Sequence, residues 1–117
     1  MTGEPLHFAT WGEWRAWLEE NHATQDEAWL LIYKRHAETS SVTLTEAVEE
    51  ALCFGWIDSQ MQPIDGDRHA QRFTPRRKTS NWSERNKERA ARLIEEGRMT
   101  EAGISKIEEA KQNGRWG

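Results

Sequence analysis

The 117-residue sequence predicts an α+β fold: a small three-stranded sheet packed with about four helices, in the order α-β-α-β-β-α-α. Three observations carry that expectation. Thr-x-x-Glu capping boxes stand at Thr10–Glu13 and at Thr43–Glu46. An unbroken apolar run, Trp29-Leu30-Leu31-Ile32-Tyr33, lies between them. Further on, Asp65-Gly66 separates two extended arms, which is a hairpin signal. A strand, a helix and a second strand that continues into a hairpin imply a mixed sheet.

The elements follow in order. Thr10 opens a helix that runs to about Glu20, with Trp11, Trp14, Trp17 and Leu18 on one face and Asn21-His22 as its end. Glu27–Arg35 reads as a strand, and because it is apolar on both parities it is expected to be covered on two sides. Thr43 opens the second helix, with Leu44, Ala47, Val48, Ala51 and Leu52 inward and Gly55 as the stop. Cys53 projects opposite that apolar arc. Trp56–Gln62 and Arg68–Thr74 form the hairpin arms, limited by Pro63 and Pro75. A helix from about Trp82 ends at Gly97, with Trp82, Asn86, Ala90, Leu93 and Ile94 on one arc. The last helix runs from about Thr100 to Asn113, before Gly114.

Length and composition fit one domain over residues 1–117. Seven Trp residues supply much of the apolar mass of an otherwise polar chain. No apolar run is long enough to span a membrane, and the N-terminus lacks the pattern of an export signal, so cytoplasmic residence without membrane contact is expected. A single Cys fits a reducing compartment. The four His and Cys53 have no metal-ligand spacing and no Gly-rich phosphate loop occurs, so neither a metal nor a cofactor is expected.

Charge is divided along the chain. Residues 1–60 hold three basic and eleven acidic side chains, whereas residues 61–117 hold thirteen basic and nine acidic ones. Between Arg68 and Arg92 nine Lys/Arg stand against two acids, in a chain of net charge −4. A protein that coats nucleic acid indiscriminately is usually basic overall, so that role is disfavoured.

The local excess of guanidinium groups beside an indole and a hydroxyl-rich helix start suits anion recognition. Arg72 lies on the second hairpin arm, and Arg76 and Arg77 follow Pro75. Trp82 and Asn86 open the next helix, and all five are candidates to line one anion pocket. Asp58 shares the parity of Trp56 and is expected to hold an Arg such as Arg72 or Arg76; as a general base it would need a substrate within reach. Lys34, at the end of the first strand, is a candidate second cation. Arg85, Arg89 and Arg92 line one helix edge and are read as a solvated face pairing with the acidic stretch Glu46–Glu50. A buried Asn86, near the middle of that arc, has two readings, a bond to the backbone of the 74–80 loop or an amide that faces a ligand.

Several motifs occur together in order: Ala51-Leu-Cys-Phe-Gly-Trp-Ile-Asp-Ser59, Phe73-Thr-Pro-Arg-Arg77, Ser80-x-Trp82-Ser83-x-x-Asn86 and Gly114-x-Trp116. With Trp17-Leu18, Asn21-His22 and Tyr33-Lys34 they make the chain resemble the YdeI/OmpD-associated family, bacterial proteins often labelled bacteriocin-protection proteins. Longer members continue past the Gly-x-Trp with a further helical segment, and this sequence stops at Gly117, so the resemblance is to a short form. It implies a small soluble bacterial protein, loosely linked to antimicrobial-peptide or envelope stress, with no enzymatic activity to carry over.

The first expectation is therefore a binding protein for an anionic small molecule, peptide or protein partner, of undefined oligomeric state. Two alternatives stay open. One is an enzyme with Asp58 or His69 as acid/base and Arg76 and Arg77 stabilising negative charge. The other is a weak nucleic-acid-binding module.

Overall fold

The computed structural model describes residues 4–116. The element order is α1 (Trp11–Asn21), β1 (Ala28–Tyr33), α2 (Leu44–Cys53), β2 (Trp56–Pro63), β3 (Arg68–Pro75), α3 (Glu84–Glu95) and α4 (Glu101–Gln112). The fold class and order agree with the sequence reading.

The helix starts follow from their caps. The Thr10, Thr43, Ser83 and Thr100 side chains each accept a hydrogen bond from the backbone amide three residues on. At Thr43 the box is complete, because the Glu46 carboxylate returns to the Thr43 amide at 2.9 Å. His22 ends α1, its Nδ1 lying 2.7 Å from the Leu18 carbonyl.

The sheet is antiparallel throughout, in the order β1-β3-β2, and not mixed. The chain crosses through α2 and lays β2 one strand away from β1, with the same direction as β1. The tight turn at Asp65–Asp67 then returns β3 into the gap between them. The two parallel strands thus never touch.

One face of the sheet carries the core. Ala28, Leu30 and Ile32 point there from β1, Phe73 from β3 and Trp56 from β2. Trp14 and Trp17 of α1 pack onto this face, Trp14 against Phe73 at 5.4 Å and Trp17 edge-on to Trp56 at 5.9 Å between ring centroids. The Trp14 indole N–H donates to the Ala47 carbonyl at 3.0 Å, which ties α1 to α2.

The opposite face corrects the expectation of a strand covered on both sides. Trp29, Leu31 and Tyr33 are only half-buried. They stand across from Arg72, Ala70 and Arg68, with the Arg68 guanidinium 5.9 Å from the Tyr33 ring, so long side chains shield this face in place of a helix layer. Leu6 bridges to the free edge of β1. Three other apolar positions also differ. Trp11 is 45% exposed, lying in the first turn of α1 with the Arg98 guanidinium over its ring; Leu44, expected inward, is exposed in the first turn of α2, and Ile94 is exposed on α3. Cys53 is fully buried, because Gly103 of α4 packs directly on its carbonyl.

Candidate functional site

The end of β3 places one arginine in an unusual setting. Pro75 stands opposite Trp56 as the last rung of the hairpin, and the next amide, that of Arg76, donates to the Gly55 carbonyl at 2.9 Å. Gly55 stops α2 with φ +77°, and a Cβ there would lie 2.6 Å from Lys106 Cγ and 3.0 Å from the Ala102 carbonyl oxygen. Only glycine combines that conformation with so close an approach of α4. The side chain of Arg76 is thereby drawn inside the protein and is 3% exposed.

Its guanidinium carbon lies 3.8 Å from the centroid of the Trp82 ring. Nε and Nη1 are both buried without a hydrogen-bond partner. Buried donors are nearly always satisfied, and leaving a charged one unsatisfied costs several kcal/mol, on the order of what a buried ion loses in hydration. Burial pulls the Arg76 pKa down to about 10, with the negative charge of Asp58 acting in the other direction. Arg76 therefore remains a cation at neutral pH.

Trp82 is held from two sides. Ser83 caps α3 immediately after it, and its own amide donates to the Arg115 carbonyl at 3.2 Å. The Trp116 ring lies 5.0 Å from it, and Lys111 Nζ lies 5.1 Å from the Trp116 ring. The Asn113 side chain donates to the Lys78 carbonyl and the Arg115 guanidinium to Asn81. The turn after α4 is thus joined to the 76–83 loop. Sequence reading singles out Trp82 but gives Trp116 no part in the site. The Gly114 turn, which brings the chain back on itself, is the available signal.

The remaining candidates disperse. Arg77 is exposed beside Arg76. Asn86 is half-buried, and its Oδ1 accepts from Arg89 at 3.1 Å; it bonds neither to the backbone of the 74–80 loop nor to any group of the Arg76 pair. Arg72 points from the opposite face of the sheet, where its Nε donates to Glu27 at 2.8 Å. Strand alternation puts Arg72 on the face away from Phe73, and it is the exit of the chain from β3 after Pro75, with the Arg76 amide bonded to Gly55, that turns Arg76 inside. Asp58 lies across from Phe73, on the core face, and influences Arg76 through its charge without an ion pair to it. Lys34 lines a cleft of about 460 Å³ with Tyr33, Arg35, Thr43 and His69, at the far end of β3. Seven residues of extended chain separate His69 from Arg76, roughly 20 Å. Arg76 and Trp82 form the pair, with Asp58 nearby.

A second charged cluster lies outside these expectations. Glu50 of α2 is 0% exposed, and its carboxylate pairs with Arg15 at 2.9 Å and with Arg98. Arg15 also donates to the Arg98 carbonyl at 3.0 Å. Beside it, burial and then the Glu50 charge hold the Cys53 thiol above its ordinary pKa, so the thiol is unactivated. Arg92 pairs with Glu49, as the reading of α3 expects, while Arg89 turns to Asn86. Among the described residues no group of three His, Cys, Asp or Glu is arranged to hold a metal ion, and no helix is long and apolar enough to cross a membrane.

A family model described as a domain of unknown function (DUF8412) matches residues 6–106. No curated protein and no solved structure matches the chain.

Proposed function

Since the chain belongs to the DUF8412 family, a domain of unknown function, we propose its role from the site itself: a non-enzymatic binding module that receives an anionic group at Arg76, with Trp82 as the platform. The observation that supports this is the buried guanidinium whose Nε and Nη1 have no partner. A carboxylate or phosphate oxygen would supply the missing acceptors and the missing counter-charge together. The Trp82 ring fixes the plane of the guanidinium, so the fork is preorganised for that acceptor. Arg77, exposed at the next position, adds positive charge at the approach.

The resemblance to YdeI/OmpD-associated proteins belongs to the same proposal, as does residence in a bacterial cytoplasm. Arg72 and Lys34 lie outside this proposal, because Glu27 pairs with the first and the second lies at the other end of the sheet.

The test is calorimetric titration with inorganic phosphate and with acetate, alongside thermal melts. Binding by the native protein, with a melting temperature that climbs with anion concentration, is expected; one hundred times Kd adds about 2.7 kcal/mol. Arg76→Met should abolish both effects while the protein stays folded. Absence of any anion-dependent change in the native protein would remove the proposal.

A second reading keeps Asp58 as an acid/base beside Arg76. It is favoured by the absence of any ion pair to the Asp58 carboxylate among the described residues, although Asp58 lines neither the Lys34 clefts nor the one beside Arg68. The His69 version requires groups roughly 20 Å apart to act together and is dropped.

A further inference from the structure

The surface around this site has a charge pattern that the buried pair does not account for. Arg15, Arg68, Arg72, Arg92 and Arg98 each have a carboxylate within ion-pair distance. In the loop 76–82 and the turn after α4, by contrast, Arg77, Lys78 and Arg115 are exposed with no carboxylate partner among the described residues. Residues 76–89 contain six basic and two acidic side chains, and residues 111–115 two basic and none acidic. The bonds from Asn113 to the Lys78 carbonyl, from Trp82 to the Arg115 carbonyl and from Arg115 to Asn81 hold the two segments side by side.

We infer that Arg77, Lys78 and Arg115 form a docking surface for an acidic segment of a partner protein. Three unpaired cations on one bonded framework, in a chain of net charge −4, lower the cost of bringing up a negative chain at this face. The surface offers little to nucleic acid. Trp82 is 7% exposed and engaged by Arg76 and Trp116, so it presents no free ring for a base to stack on. A long duplex, with a charge every 1.7 Å or so, would extend beyond the patch along a chain whose net charge is −4. A short acidic peptide stays within the basic patch.

The inference does not depend on Arg76 binding a free anion, and the two fail separately. The probe is a fluorescein-labelled oligoglutamate peptide, followed by anisotropy at low ionic strength, with an oligothymidylate of equal length as competitor. The triple charge reversal Arg77→Glu, Lys78→Glu and Arg115→Glu is expected to weaken peptide binding by tenfold or more, on the order expected for rim charges. The neutral set Arg77→Gln, Lys78→Gln and Arg115→Gln should fall between. Lys34→Glu with Arg35→Glu should leave it within about twofold, and added salt should weaken it. Unchanged peptide affinity in both triple sets would overturn the inference. Tighter binding of the oligothymidylate than of the peptide would overturn the choice of partner.

Discussion

The guanidinium of Arg76 lies within 3.8 Å of the Trp82 ring centroid, and Nε and Nη1 have no acceptor. The indole contributes about 2 kcal/mol to a desolvated cation, less than hydration withholds from it. The arrangement therefore leaves a local deficit in the folded protein. Deficits of that kind gather at binding positions, where a ligand closes them. Gly55 and Pro75, which fix the backbone on either side, make the deficit a product of the fold and not of a mobile loop.

The first prediction concerns stability. Arg76→Met keeps most of the apolar volume and removes the charge. The lowered pKa corresponds to about 3 kcal/mol of buried-charge cost, against about 2 kcal/mol of lost cation–π attraction. The variant should therefore melt at the same temperature as the native protein or a few degrees higher. A fall of more than about 2 kcal/mol would mean that Arg76 is a net stabiliser.

The same pair gives a pH dependence. Below about 10 Arg76 is charged in both the folded and the unfolded states, so its cost stands in full. Above about 10 the folded protein loses the proton while the unfolded chain still holds it, so stability rises with pH toward the ordinary arginine range. Arg76→Met lacks this slope. Its advantage should shrink in denaturant titrations carried from neutral pH to above about 10. A constant gap would count against a buried cation.

Dispersal of the other candidates is also testable. Arg72→Ala breaks a half-exposed ion pair with Glu27 and should cost no more than about 1 kcal/mol. Neither it nor Lys34→Ala should alter phosphate affinity at Arg76, since one lies on the other face and one at the other end of the sheet. A tenfold loss from either would put those residues back into a shared pocket.

What the sequence could disclose was local. The caps at Thr10 and Thr43, the Gly55 stop and the Asp65-Gly66 hairpin are each written in a few adjacent residues, and all appear as read. Arg76 and Trp82 are singled out by the same kind of local reading. Their stacking was not legible, because it depends on the long-range approach of Gly55 to α4. Nearness in sequence puts Arg72 with Arg76, although strand alternation turns it away from the core face that Asp58 shares. The antiparallel sheet is not legible because nothing in the spacing says that β3 enters between β1 and β2. Glu50 looks like one more acid of a solvated helix face. Its partners, Arg15 and Arg98, come from distant segments.

That cluster gives the next prediction. Glu50 is fully buried between two arginines, so Glu50→Gln leaves both guanidinium groups facing a neutral amide. Breaking a buried pair from one side costs about 3–5 kcal/mol. Arg92→Ala, at a more exposed pair with Glu49, should cost about 1 kcal/mol or less. Urea midpoints measure both, and equal shifts would deny Glu50 its structural role.

Gly103 supplies the final prediction. An added Cβ there would lie 2.5 Å from the Cys53 carbonyl oxygen, with Met99 Sδ closer still. The Met99 side chain can swing aside, but the carbonyl is backbone and is held by Thr100, whose amide and hydroxyl donate to it at 3.1 and 2.5 Å. Gly103→Ala must therefore push the start of α4 away from the end of α2, at a cost of about 1–3 kcal/mol for overpacking. Gly66 is the contrast: a Cβ added there would meet nothing within 4 Å, and its φ is not in the left-handed region. Gly66→Ala should be neutral or stabilising by about 0.4–1 kcal/mol, through the unfolded chain. Because α4 also forms one wall behind Gly55, Gly103→Ala should weaken phosphate binding at Arg76 along with stability, while Gly66→Ala leaves it unchanged. If both variants melt and bind alike, the close seam between α2 and α4 does not position the arginine.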